Sequence, residues 1–458
     1  MDQYRDKVES LRQFDDVIKM TPLRKWAIGV IALGEFVDGY DLMVIAGALI
    51  LLKPQMQLSA SQVGLLGASA FLGAAIGLLI FGSLTDRIGR RTVFTFNLVF
   101  FVFFSLLSAA ISNVTELFII RIFIGVAIGA DIATSMAFLT EISPRLKRGS
   151  LSGALPQMAW TFGALCSLLV ALLLCNTVGS QAWRWMFGLS AVPALVVLVG
   201  RRLLPESPRW LIKQGRDEEA MAALELLGVS RVMQEKREKR ENVLRDPNEG
   251  GYADLFRKPY TRQAILAFVI VGFTPFMGAT ASVVGPYVFQ YVGAFGLSGS
   301  LQAGTITWIG GLIGALVAYL TIDRIGRMRS VVTSCWGSFL VSVALALGVV
   351  RYPALFLVLF VLLAALTWFG ASSFWVLPSE LLPTHLRGRA QGLGNGLARL
   401  MVAVATFIIP VGIANLGFSA TIILLGSVGL VIGLYALTGF KFEPKARSLE
   451  EVSIDRKI

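Results

Sequence analysis

Apolar residues dominate this chain in long runs, each closed by a short polar or charged break. Twelve such runs can be drawn, at about 26–52, 62–84, 92–112, 115–140, 150–175, 183–203, 262–292, 298–322, 329–350, 353–377, 388–414 and 418–440. A run of roughly 20 apolar residues crosses a hydrocarbon core of about 30 Å as a helix. Backbone amides in lipid must be satisfied within the segment, so the pattern predicts an all-α membrane protein. One long polar stretch, 204–261, separates two six-helix bundles at 26–203 and 262–440, with polar tails at 1–25 and 441–458. Inside that stretch, residues 216–245 are rich in Glu, Arg and Lys. Ala220, Ala223, Leu224 and Leu227 recur there at helical spacing, which predicts short amphipathic helices; a flexible charged linker is the alternative.

Two short motifs each occur twice, displaced by about half the chain. Asp-Arg-Ile-Gly-Arg runs from Asp86 to Arg90 and from Asp323 to Arg327. Glu-x-x-Pro-x-x-x-Arg-Gly runs from Glu141 to Gly149 and from Glu380 to Gly388. Motifs repeated in the same order argue for a duplicated unit, so the two bundles should be pseudo-symmetric. Duplicated halves in a membrane protein place a binding site between them and imply alternating access.

Charge settles the orientation. The net charge of +12 could point to nucleic acid, but its distribution does not. Of 41 Lys and Arg, 36 fall in the two tails and the even-numbered loops and 3 in the odd-numbered loops, leaving Arg121 and Arg399 within spans. That bias predicts cytoplasmic termini and a cytoplasmic central loop. The first 25 residues are polar and carry no signal-peptide pattern. Cys166, Cys175 and Cys335 lie in or at the ends of spans without CxxC spacing. The one histidine, His385, falls in a loop, which excludes His-based triads and His-rich metal sites. No nucleotide-binding glycine loop is present either, so no enzyme activity, metal or cofactor is expected.

All four motif copies sit at cytoplasmic span ends, where Arg can pair with acidic partners through charged hydrogen bonds. The residues in question are Asp86, Arg87, Arg90, Glu141 and Arg148, with Asp323, Arg324, Arg327, Glu380 and Arg387 in the second half. They are read as a cytoplasmic gate that opens during transport; plain basic topology loops are the alternative.

Ionisable groups in the hydrocarbon zone are expensive, so each is a functional candidate. The first span holds Glu35, Asp38 and Asp41, the fourth Arg121 and Asp131, and the eleventh Arg399. Asp38 and Asp41 are three apart on one helix face. Two carboxylates so close in low dielectric are not expected both to be ionised. By helix rise, Asp41 lies about 22 Å from the inner end and Arg121 about 9 Å from the outer end, within side-chain reach of each other. Proton coupling is assigned to Asp41 and Arg121, with Asp38 and Asp131 at a common depth; a structural ion pair is the alternative. Glu35 is read as structural. Arg399, near mid-membrane, suits a substrate carboxylate, or pairs with an acid such as Asp131. Trp160, Trp368, Phe369, Phe374 and Trp375 would flank a ring-shaped substrate, or serve as packing.

Several motifs in order resemble the sugar-porter branch of the major facilitator superfamily over nearly the whole chain. They are Gly39-Tyr40-Asp41 with Val44 to Gly47, Arg121-x-x-x-Gly125-x-x-x-Gly129, and Arg148-Gly149-x-Leu151 with Gln157 and Gly163. Pro205-Glu206-Ser207-Pro208-Arg209-Trp210-Leu211, then Trp375 with Ser379, Glu380 and Pro383, complete the series. The resemblance implies a proton symporter that uses Asp41 and Arg121, with Gln157, Trp375 and Asn395 at substrate. The family's polar positions in helix seven are here Thr274, Pro275 and Thr280, and Gly396 replaces a Trp in helix eleven. Asp38-Gly39-Tyr40-Asp41 is also similar to the motif of aromatic-acid/proton symporters. The expected activity is proton-coupled symport of a small organic solute, an organic anion ahead of a sugar or polyol. Proton-driven efflux and a non-transporting membrane sensor are the other readings. The partners are a small-molecule substrate, protons and the lipid bilayer of the plasma membrane, with the protein a monomer and no nucleic acid.

Overall fold

The computed structural model describes residues 20–143, 149–228, 252–258, 260–279, 282–348, 351–382 and 386–442. These are helical throughout, with no strand among the described residues. The first half comprises α1 (Pro22–Gln55), α2 (Ala60–Ile88), α3 (Arg90–Ala110), α4 (Val114–Ile142), α5 (Leu155–Thr177) and α6, in two pieces (Ala182–Leu189 and Ala191–Arg201). The second comprises α7, also in two pieces (Thr261–Gly278 and Gly285–Tyr291), α8 (Leu297–Ile325), α9 (Arg327–Ala346), α10 (Pro353–Phe374), α11 (Arg387–Leu416) and α12 (Phe418–Leu437). Eleven segments among the described residues are long and apolar enough to cross a membrane. The remaining helix, α1, is 34 residues long and buries Glu35, Asp38 and Asp41.

Helix starts follow side-chain chemistry. Thr21 accepts from the Arg24 amide ahead of Pro22, Ser59 and Gln62 form a capping box, and Asn113 accepts from the Glu116 amide. A π-helical turn, Gly149–Ala154, precedes α5 where the apolar run predicts an unbroken helix. The predicted seventh span is split between Gly278 and Gly285, ahead of Pro286. Of the predicted linker helices, Asp217–Leu226 is present, beside a turn at Pro208–Lys213; residues 229–251 lie outside the described residues.

The duplicated motif is duplicated in backbone geometry too. Gly89 (φ 92°, ψ 154°) and Gly326 (φ 94°, ψ 163°) each end one helix and begin the next. That left-handed φ favours glycine at both corners. In the first half, the Glu206 carboxylate accepts from the amides of Arg90 (2.9 Å), Arg91 (3.1 Å) and Ser207 (2.8 Å). It therefore caps the N-terminus of α3, where the helix dipole favours an anion.

Glycines bring the helices to backbone contact. A Cβ at Gly39 would lie 2.0 Å from the Trp160 carbonyl oxygen, and one at Gly125 2.1 Å from that of Ala70. Small residues at such crossings are the usual packing device in lipid.

The largest apolar cluster joins both halves, setting α1 residues such as Leu49 and Leu52 against Val288, Phe289 and Phe360. Lys53, at the end of α1, lies 3.5 Å from the Tyr291 ring centre in the other half. Toward the opposite, basic end the apolar clusters each belong to one half. The halves are thus sealed by apolar packing at the end remote from the basic loops.

Replacing Glu206 by Ala should cost about 2 kcal/mol, because three amides lose a charged acceptor. A thermal melt of the purified protein should show a lowered midpoint, with Glu206→Gln intermediate.

Candidate functional site

Three sets of buried charged groups lie along the centre of the bundle. In the first, Arg121 Nη1 on α4 donates to Asp41 Oδ2 on α1 at 2.5 Å, and Nη2 donates to the Asp41 backbone carbonyl at 2.9 Å. Both side chains are almost fully buried. The guanidinium also faces the Phe187 ring of α6 at 5.5 Å. One of its two bonds ends on the carboxylate and the other on a carbonyl that does not titrate. Protonating Asp41 would therefore weaken the first of these bonds and leave the second in place.

The second set holds a residue that its sequence position hid. Arg201, at the end of α6, forms a bidentate ion pair with Asp131 of α4, its Nη2 donating at 2.8 Å. Asn97 Nδ2 adds a bond to Asp131 Oδ1 at 2.8 Å, and the Ser135 hydroxyl donates to Oδ2 at 3.2 Å. The Phe94 ring covers the guanidinium at 4.3 Å. A Cβ at Gly34 would lie 1.9 Å from Arg201 Nη2, so α1 crosses directly over the pair. Counting Arg201 with the basic loop misplaces it; the apolar run 183–203 that contains it was the available signal. Asp131 is thus satisfied by Arg201 and is not the partner of Arg399.

The third set is unsatisfied. Glu35 Oε1, Asp38 Oδ2, Trp160 Nε1, Arg399 Nε and both polar atoms of the Asn395 side chain are buried with no hydrogen-bond partner. The Arg399 guanidinium lies 4.9 Å from the Trp375 ring centre, 5.8 Å from Trp160 and 6.0 Å from Phe71. Asn395 and Arg399 are four apart on α11 and share a face. Gln157 is 8% exposed on the α5 turn before Trp160, and Gln391 Nε2 donates to the Trp375 carbonyl at 2.8 Å. The charges that reach Asp38 are those of Asp131, Glu35, Arg201 and Arg399. Those acting on Asp41 come from Arg121. Asp41 is hydrogen-bonded to Arg121, whereas Asp38 Oδ2 is buried without a hydrogen-bond partner, so the two carboxylates of α1 differ in their surroundings.

Aromatic residues cross the interface between halves. Trp160 of α5 lies 4.7 Å from Trp368 of α10 and 5.7 Å from Trp308 of α8, with Trp308 and Trp368 5.3 Å apart. Trp308 was not singled out from sequence, since nothing local marks it. Phe374 instead packs on Trp375 within the second half, at 5.3 Å. Thr274 is buried in α7, while Thr280 lies outside the described residues.

At the basic end, Arg327 binds Glu380 through Nε (3.0 Å) and Nη2 (2.8 Å) and reaches Asp323 through Nη1 at 3.3 Å. Asp323 in turn accepts from the Ser150 amide at 3.3 Å and from its hydroxyl. Ser150 belongs to the first half, so this chain of bonds ties the two halves together. Arg90 is buried, and Arg87 and Arg324 are exposed at helix ends. Arg148 and His385, and the side chains of Asp86, Glu141 and Arg387, lie outside the described residues.

With this geometry in hand, comparison with known proteins is direct. Residues 27–455 match the family described as Sugar (and other) transporter. The chain is 34% identical over 445 residues to YwtG of Bacillus subtilis, covering 93% of each. It is 30% identical over 459 residues to the D-xylose transporter of Levilactobacillus brevis, covering 94% and 96%. In fold it is similar to the proton:xylose symporter XylE, with a TM-score of 0.79 at 24% identity, covering 94% of this chain and 99% of that one. The chain belongs to the sugar (and other) transporter family. It is an integral membrane transporter of the major facilitator superfamily and not an enzyme.

Breaking one side of the Asp131–Arg201 pair in this transporter leaves a buried charge unpaired, at about 3–5 kcal/mol. Arg201→Met should therefore sharply reduce folded yield, and the double variant Arg201→Met with Asp131→Leu should recover much of it. Size-exclusion profiles of the detergent-extracted protein read both outcomes.

Proposed function

We propose that this transporter carries a small organic anion together with a proton, by alternating access around the mid-membrane site. The observation that carries the reading is Arg399: a buried guanidinium with aromatic rings around it, no ion pair among the described residues, and an unpartnered Asn395 beside it. Its planar fork matches a carboxylate bidentately. Trp160 and Trp375 supply apolar walls for the remainder of the solute. Gln157 adds a side-chain amide.

The coupling proton is assigned to Asp41. When Asp41 is ionised, Arg121 holds α1 to α4; when it is protonated, that tie weakens and the halves reorient at lower cost. The Arg327–Glu380–Asp323–Ser150 chain is assigned to the gate at the basic end. Asp131 is assigned a structural role with Arg201. By the positive-inside rule that end is assigned to the cytoplasm, and the protein is read as a monomer in the plasma membrane.

A sugar is the second reading. Asn395 and Gln157 are suited to hydroxyl groups, and relatives include a D-xylose transporter.

In proteoliposomes, Asp41→Asn should abolish accumulation driven by a pH gradient while counterflow exchange survives; undiminished accumulation would sink the assignment. Loss of a charge-assisted bond costs about 1.5–3 kcal/mol, so Arg399→Gln should weaken carboxylate binding about ten- to a hundredfold and leave any D-xylose binding unchanged. A thermal-shift screen against carboxylates and sugars reads both ligands, since a ligand of the folded state raises the melting temperature. Equal affinity in variant and parent would refute the anion reading.

A further inference from the structure

The centre of the bundle holds more unpaired charge-bearing groups than the coupling scheme uses. Asp41 is committed to Arg121, and Asp131 to Arg201, each by hydrogen bonds under 3 Å. Among the described residues at this depth, three ionisable side chains remain without a hydrogen-bonded ionic partner: Glu35 and Asp38 on α1, and Arg399 on α11. They come from opposite halves of the molecule. All three are buried, at 3%, 3% and 6% exposure.

Their placement brings them to one locality. Gly34 touches the Asp131–Arg201 pair and Gly39 touches the Trp160 backbone, so residues 35–38 span the gap between those features. Arg399 faces the same Trp160 from the second half. The charged groups that reach Asp38 are Asp131 on α4, Glu35 on its own helix, Arg201 on α6 and Arg399 on α11. Asp131, Arg201 and Arg399, on α4, α6 and α11, are also the charged groups nearest in effect to Glu35. The α5 helix, packed along α1, contributes no charged residue.

A lone guanidinium in a low-dielectric interior needs a counter-charge. In the empty carrier, the only uncommitted anions near Arg399 among the described residues are these two carboxylates. A substrate carboxylate arriving at Arg399 replaces that counter-charge and leaves an acid with no cation to balance it. We propose that Glu35 and Asp38 act as the resident counter-anion of Arg399, and that binding of a substrate carboxylate drives a proton from bulk water onto one of their carboxylate oxygens. The balance is one anion bound and one proton taken up, so the site's net charge does not change. Proton and substrate are thus linked within the binding site itself, in addition to the Asp41–Arg121 pair. This rests on the anion reading of Arg399 given above.

The test is calorimetry of the purified protein. Benzoate and gluconate are titrated as carboxylate probes and D-xylose as a neutral one, each in two buffers of different ionisation enthalpy. Carboxylate binding should take up close to one proton at neutral pH, with affinity falling about tenfold per pH unit above the titration of the acid pair. Asp41→Asn should keep that uptake. Asp38→Asn combined with Glu35→Gln should lose it and bind the carboxylate with pH-independent affinity; should the double variant not fold, Asp38→Asn and Glu35→Gln are read singly for reduced uptake. Carboxylate binding without proton uptake, or uptake lost in Asp41→Asn, overturns this inference and leaves the anion reading standing. Absence of carboxylate binding, with or without binding of D-xylose, overturns both.

Discussion

A charge inside the hydrocarbon layer is tolerated only if another group balances it, and that constraint organises the centre of this transporter. Asp41 holds Arg121, so α1 is joined to α4. Asp131 holds Arg201, so α4 is joined to α6, and Gly34 of α1 must lack a side chain for the pair to fit. Three helices of the first half are thereby locked by two ion pairs before any apolar packing is considered. Among the described residues, the second half contributes one central cation, Arg399, with no such lock. Ion pairs of this kind define which helices move together more than they add net stability.

The two ends of the molecule use different physics. Far from the basic loops, one apolar cluster runs across both halves and Lys53 sits on a tyrosine ring of the opposite half. At the basic end, the described contact between halves includes a polar chain, from Glu380 through Arg327 and Asp323 to Ser150. Hydrogen bonds of that sort can be exchanged for water at small net cost, whereas apolar surface cannot. Under the alternating-access mechanism proposed above, each end needs contacts it can release, and the polar chain is a contact of that kind. The repeated Gly corner, in the same left-handed conformation at Gly89 and Gly326, sets the same geometry twice.

Much of this was legible in the chain because membrane folding reduces to one-dimensional rules. Apolar run length sets the spans, and helix rise places Asp41 and Arg121 at reachable depths, where they meet. The breaks in α6 and α7 were less legible, because an apolar run does not reveal where its hydrogen bonding is interrupted. Arg201 was misassigned for a related reason: a basic residue at a span end reads as a loop anchor unless an acid on another helix is known to face it.

Composition and rise per residue were enough to fix the order of the spans, the duplicated corners and the burial of Glu35, Asp38, Asp41, Arg121, Asp131 and Arg399. Only the tertiary structure decided who pairs with whom. It gave Asp131 to Arg201, joined Ser150 to Asp323, and brought Trp308 against Trp160 and Trp368. Those choices depend on how helices are rotated about their axes and which face each turns inward. Contacts between residues far apart in sequence set that rotation, and no single span encodes it.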